Sequence, residues 1–183
     1  IDLLGYGDSS QEALTELFQD LCVADVEADG LTLHPDTVRV TQIREDQGYG
    51  GQRVTLTATL GKAQIHLQVD IGFGDVITPA PDHIEYPSLL GLPSPRLRAY
   101  PKETVIAEKL EAMVTLGMAN SRMKDFYDIW MMSRELQFSG RTLARAIQAT
   151  FQHRQREFPQ TAPTALTEDF AGNPTTSDWS FTF

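Results

Sequence analysis

The sequence predicts an α+β protein, with a small mixed sheet in the first hundred residues followed by a helical C-terminal half. Three observations carry that expectation. Apolar and polar residues alternate strictly from Arg53 to Leu60 and again from Gln64 to Ile71, with Gly61-Lys62 between them as a hairpin link. Beyond Pro101 the apolar residues recur at helical spacing instead. Between these regions, residues 76–95 are proline-rich and follow neither period.

Taken in order, Ile1 to Leu4 reads as a strand end broken by Gly5 and Gly7. Ser9 or Ser10 caps a helix running to about Cys22, with Leu14, Leu17, Phe18 and Leu21 at core spacing. After Gly30, Val38, Val40 and Gln42 alternate with Arg39 and Thr41, and Gly48-Tyr49-Gly50-Gly51 turns the chain. Val54, Leu56, Ala58 and Leu60 share one face of the next strand. In the strand that returns, Ile65, Leu67, Val69 and Ile71 point to the core. Gln64, His66, Gln68 and Asp70 point away, and Gly72 and Gly74 end the strand.

Residues 76–95 read as a long loop with at most a short strand near Ile84 to Tyr86. Another strand is expected at Leu97 to Tyr100, before Pro101 opens a helix at its first position. Helices follow at about 102–117, 123–136 and 140–154. The tail from Phe158 is rich in Pro, Thr and Ala, and Phe170, Trp179, Phe181 and Phe183 are expected to pack it back. The domain expectation is residues 1–100 for the α/β core and 101–183 for the helical region.

A length of 183 residues allows a sizeable core. Lysine plus arginine is 15 and aspartate plus glutamate is 25, a formal charge of 15 − 25 = −10. That argues against a dedicated DNA coater, whose affinity rests on a basic face. A nucleotide is compatible, because a divalent cation can neutralise its phosphates. The single cysteine, Cys22, cannot close an internal disulfide and reads as a reduced, packed thiol. No apolar run approaches a membrane span and nothing resembles a signal peptide, so a cytoplasmic protein is expected. The chain opens on Ile1, so a fragment of a longer protein is expected.

The densest chemistry lies in Ser121-Arg122-Met123-Lys124-Asp125-Phe126-Tyr127-Asp128. Asp125 and Asp128, three residues apart on a helix, must face one way. Carboxylates on so apolar a helix are costly to bury without partners: a metal, a phosphate or a lysine. Lys109 is the lysine at hand, because its helical neighbours Val105, Ile106, Ala112 and Met113 are all apolar. It can aim at Asp125 or at a triphosphate, or simply carry its charge past the core boundary. Asp128 can instead pair with Lys124, four residues before it, and Asp125 can favour the helix dipole. Asp70, before Gly-Phe-Gly, and Asp2, before a glycine-rich turn, are strand-end carboxylates; together they can hold Mg²⁺, and singly each is an ordinary solvated group. The four histidines have no zinc spacing, and no P-loop, dinucleotide fingerprint or nucleophile elbow is present.

In this order, the motifs resemble the AbiEii/AbiGii nucleotidyltransferase toxin family of the DNA polymerase β-like superfamily. Ile1-Asp2-Leu3-Leu4 looks like the second half of an Asp-x-Asp motif whose first aspartate would precede Ile1. Val69-Asp70-Ile71 resembles the strand bearing the third carboxylate. Tyr100-Pro101-Lys102-Glu103 through Ala107-Glu108-Lys109-Leu110 resembles the lysine motif, and Arg122 to Asp128 the fourth and most specific one.

The resemblance implies a nucleotidyltransferase-type sheet and transfer of a nucleotide from a nucleoside triphosphate to an acceptor, with tRNA as one acceptor. The resemblance further implies a toxin of a toxin–antitoxin or phage-defence system with a cognate antitoxin. By the same resemblance Asp2 and Asp70 bind Mg²⁺, Asp70 helps deprotonate the acceptor, and Lys109 holds the triphosphate. Asp125 orients Lys109 or the nucleotide, with Arg122, Lys124 and Asp128 on the substrate side. Two other functions stand beside it: a catalytically inactive interaction module, whose acidity suits a basic partner, and a transferase acting on a small molecule.

Overall fold

The computed structural model describes residues 1–43, 51–88 and 91–172. The chain divides after Asp75 into two compact units, each with its own packing.

The first unit holds strand β1 (Asp2–Gly5), helix α1 (Gln11–Cys22) and strands β2 (Leu31–Ile43), β3 (Gly51–Leu60) and β4 (Ala63–Phe73). They form a mixed sheet in the order β1-β4-β3-β2, with β1 parallel to β4 and the other pairings antiparallel. Ser10 caps α1, its side chain accepting from the Ala13 N–H at 3.3 Å. Leu14 and Phe18 of α1 pack on Val38, Val54, Leu56, Val69 and Ile71, so the apolar faces read from alternation do meet in one core. Leu17 and Leu21 are about half exposed at 51% and 52%, on the shoulder of the helix and not in the core.

Strand limits differ from the expected ones for local reasons. The expected end of the fourth strand at Gly72 moves to Phe73, because β1 pairs in parallel along Asp70 to Phe73 and extends the ladder. Gly5 belongs to β1 and does not break it: a Cβ there would lie 2.4 Å from the Phe73 ring, so only glycine lets that ring lie across the strand. β2 starts at Leu31 and runs through Pro35, with a register shift between His34 and Arg39. Proline is tolerated there because β2 is an edge strand, whose outer side needs no donor. Of the predicted Gly48-to-Gly51 turn, residues 48–50 lie outside the described residues.

The second unit opens with a two-stranded ribbon of β5 (Asp82–Glu85) and β6 (Arg96–Ala99), antiparallel to each other. The short strand expected near Ile84 to Tyr86 within the 76–95 loop is β5, shifted towards Asp82, and its pairing with β6 makes it one arm of a hairpin. Helices α2 (Lys102–Leu116), α3 (Met123–Glu135) and α4 (Gly140–His153) follow, each within one residue of its expected end. Pro101 stands at the N-cap of α2, one residue before the predicted first helical position.

α2 packs against both α3 and α4, and it buries polar residues as well as apolar ones. The Thr104 hydroxyl donates to the Thr78 carbonyl at 2.8 Å and accepts from its N–H at 3.2 Å. Glu111 is paired with Arg154, the C-cap residue of α4, and accepts from the Thr115 hydroxyl at 2.6 Å. The short helix α5 (Glu168–Ala171) brings Phe170 back to stack on Phe126 of α3, ring centroids 5.2 Å apart. The tail therefore does return, as its aromatic residues implied; Trp179, Phe181 and Phe183 lie outside the described residues. Among the described residues no helix is long and apolar enough to cross a membrane.

Candidate active site

The predicted residues fall into two groups, one in each unit. In the first unit the sheet covers one face with α1 and presents polar side chains on the other. The β1–β4 register sets Asp2 beside Asp70 on adjacent strands, so both carboxylates leave the sheet on its polar face. Opposite Asp70 on β3 stands Arg53. Its Nε donates to Asp70 Oδ1 at 2.7 Å and its Nη2 to Oδ2 at 2.8 Å, a bidentate fork. The Gln68 amide adds longer contacts of 3.3 and 3.2 Å to the same oxygens. These Arg53 bonds, with smaller help from Gln68, hold the Asp70 carboxyl below the usual carboxylate range despite its partial burial.

Arg53 is the residue that reading the motifs missed. Alternation had set it on the polar face, and only the hairpin register shows that it meets Asp70. Two hard-oxygen ligands on neighbouring strands suit magnesium, which takes few carboxylates and completes its shell with phosphate oxygens and water. Among the described residues no group of three or more metal-ligating side chains is assembled. Asp2 and Asp70 are oxygen donors of the kind magnesium takes, and Arg53 already occupies both oxygens of one of them.

In the second unit α2 and α3 bring together all five remaining residues. Lys109 Nζ lies 2.7 Å from Asp125 Oδ1 and 2.8 Å from Asp128 Oδ2. Arg122 Nε stands 2.7 Å from the other Asp125 oxygen, an ion pair that lacks an aligned hydrogen bond. Lys124 Nζ reaches Asp128 Oδ2 at 2.9 Å, so the helix-local pairing and the Lys109 pairing hold at once. Asp125 is 4% exposed, and its burial explains why the pair is built with charge on both sides.

Burial pushes the Lys109 ammonium down, but the hydrogen bonds it donates to Asp125 and Asp128 outweigh this and hold it above the ordinary lysine range. Burial likewise pushes Asp128 up, and bonds from Lys109 and Lys124 overcome this to leave it below the usual value. Three cations thus face two carboxylates. The Arg122 and Lys124 side chains are 58% and 83% exposed, so the surplus positive charge lies where an anion can reach it.

Carboxylates on adjacent strands, and separately a lysine clamped between helices, are each groups that phosphate chemistry uses. The chain belongs to the family described as nucleotidyl transferase AbiEii toxin, type IV toxin–antitoxin system, whose model matches residues 1–182. That family comprises nucleotidyltransferase toxins whose systems include an antitoxin. No curated protein and no solved structure matches the chain.

Proposed function

We propose that this protein transfers a nucleoside monophosphate from a nucleoside triphosphate to a hydroxyl of tRNA, in a magnesium-dependent reaction. The observation that carries the reading is the clamp of Asp125 and Asp128 on Lys109, in a chain that the nucleotidyltransferase family model matches over residues 1–182. It keeps a lysine charged and fixed, as holding a triphosphate requires. The acceptor oxygen forms a bond to the α-phosphorus, the bond from that phosphorus to the α,β-bridging oxygen breaks, and pyrophosphate leaves. The acceptor proton passes through Asp70 to water.

Asp2 and Asp70 are the residues that hold Mg²⁺, which when bound offsets charge on the attacking and leaving oxygens. Lys109 binds the triphosphate, Asp125 orients Lys109, and Asp128 supports the pair. Arg122 and Lys124 meet substrate phosphates. The antitoxin acts against this transfer.

The test is incubation of the protein with Mg²⁺, total tRNA and each labelled triphosphate in turn. Label entering RNA, and lost in both Asp70→Ala and Lys109→Ala, supports the assignment and names the base. Transfer undiminished in both variants sinks it. Label entering only a small-molecule fraction assigns a different acceptor. No label and no nucleotide binding by calorimetry assigns the interaction module.

A further inference from the structure

Asn120 sits between the short helical turn Gly117–Ala119 and the start of α3, and its side chain is only 3% exposed. Its Oδ1 accepts from the backbone N–H of Arg122 at 2.8 Å, across two residues. Its Nδ2 is buried and has no hydrogen-bond partner among the described residues. A buried amide with an idle donor is an expensive way to fill space, and an apolar residue of the same size avoids that cost. The carboxamide therefore has a use other than packing.

That use follows from how α3 begins. Arg122 occupies the N-cap of α3, and no side chain there makes a capping bond. Arginine cannot accept a hydrogen bond, so the first turn lacks the usual local anchor. Asn120 supplies the missing constraint from two residues upstream, as an Asx turn. Arg122, whose backbone N–H is held by that turn, reaches Asp125, and Asp125 lies in the first turn of the helix. Asp125 in turn meets Lys109. The geometry of a buried charge cluster thus depends on one side-chain-to-backbone bond in the preceding loop.

We propose that Asn120 is a positioning residue: its Oδ1 fixes the start of α3 so that Arg122 and Asp125 close on Lys109. The effect on turnover rests on the nucleotidyltransferase reading; the effect on Lys109 does not. Three variants test it. Asn120→Ala removes the carboxamide, and Asn120→Leu keeps its volume while removing both polar atoms. Asn120→Ser restores an acceptor for the Arg122 N–H but no amide donor.

Two quantities are read: the Lys109 titration by NMR of isotope-labelled lysine, with Lys109→Arg to assign the signal, and label transfer. The groups facing Lys109 are Asp125 and Asp128, themselves paired with Arg122 and Lys124. In Asn120→Leu the Lys109 midpoint falls towards that of an ordinary lysine, and kcat falls about tenfold with KM little changed. Asn120→Ser keeps the midpoint raised and recovers most of the rate. A folded Asn120→Leu with native Lys109 titration overturns the proposal, however much its melting temperature has changed. Asn120→Ser behaving like Asn120→Leu overturns the acceptor role as well. If Asn120→Ala does not fold, the other two still decide. A wild-type protein that transfers no label removes the functional reading, while the Lys109 titration continues to test the geometry.

Discussion

Lys109 and Asp125 come from different helices, 16 positions apart, yet their Nζ and Oδ1 atoms are 2.7 Å apart, with Asp125 buried and Lys109 partly so. In such surroundings a charge that loses its partner is much worse off than a pair that was never made.

Asp125→Ala is therefore expected to destabilise the protein by about 3 kcal/mol, the scale for breaking one side of a buried pair. Transfer should fall by about 100-fold, because Lys109 then keeps only the Asp128 side of its clamp. Asp128 is more exposed and shares its charge between Lys109 and Lys124, so Asp128→Ala should cost about 1 kcal/mol. Chemical denaturation and label transfer measure both. The reverse order means that the two roles are exchanged.

Arg53→Met should raise the Asp70 pKa, since the guanidinium is the chief reason that it lies low. It also takes the arginine off both carboxylate oxygens, leaving them the longer Gln68 contacts. Manganese binding measured by calorimetry should then tighten relative to wild type, and Asp70→Asn should abolish it. Weaker manganese binding in Arg53→Met would falsify the view that arginine and cation compete for the same oxygens.

The pH dependence of stability has two limbs. Asp70 and Asp128 have folded pKa values below the ordinary carboxylate value, so their contribution is present above that value. It is lost as pH falls through the lowered ones. Lys109 is raised, so its contribution is full below the ordinary lysine value and lost as pH climbs through the folded one. Denaturation midpoints followed against pH should form a plateau across neutrality with an acid and an alkaline fall. In Lys109→Met the alkaline fall should shrink.

Glu111 and Arg154 tie α2 to α4 away from the candidate site. Arg154→Met leaves the buried Glu111 carboxylate with only the Thr115 hydroxyl. A loss of about 3 kcal/mol is expected. Replacing both, in Glu111→Leu with Arg154→Met, should recover most of that loss. A thermal-melt double-mutant cycle reads the coupling.

Strands β3 and β4 and helices α1 to α4 could be read from the chain because each declares itself in local periodicity. The strands of the β5–β6 ribbon were read within two residues of their limits, but four-residue strands flanked by prolines gave no sign that they pair with each other. The clamp on Lys109 was half legible: i,i+3 spacing puts two carboxylates on one face, and apolar neighbours mark the lysine. That both carboxylates reach it at once is set by how α2 packs on α3. Arg53, Asn120 and the Glu111–Arg154 pair were invisible for the same reason. Each gains its meaning from a neighbour brought in by register, turn or helix packing, and none from its own spacing.

Strand β1 is four residues long, lies at the sheet margin and is bonded on one side only, to β4. A strand so lightly fastened opens more readily than the hairpin beside it. Asp2 rides on that strand while Asp70 belongs to the hairpin. Whatever bridges the two carboxylates must also stitch the margin to the sheet, so occupancy of the bridge and amide protection along Leu3 and Leu4 form a single linked equilibrium.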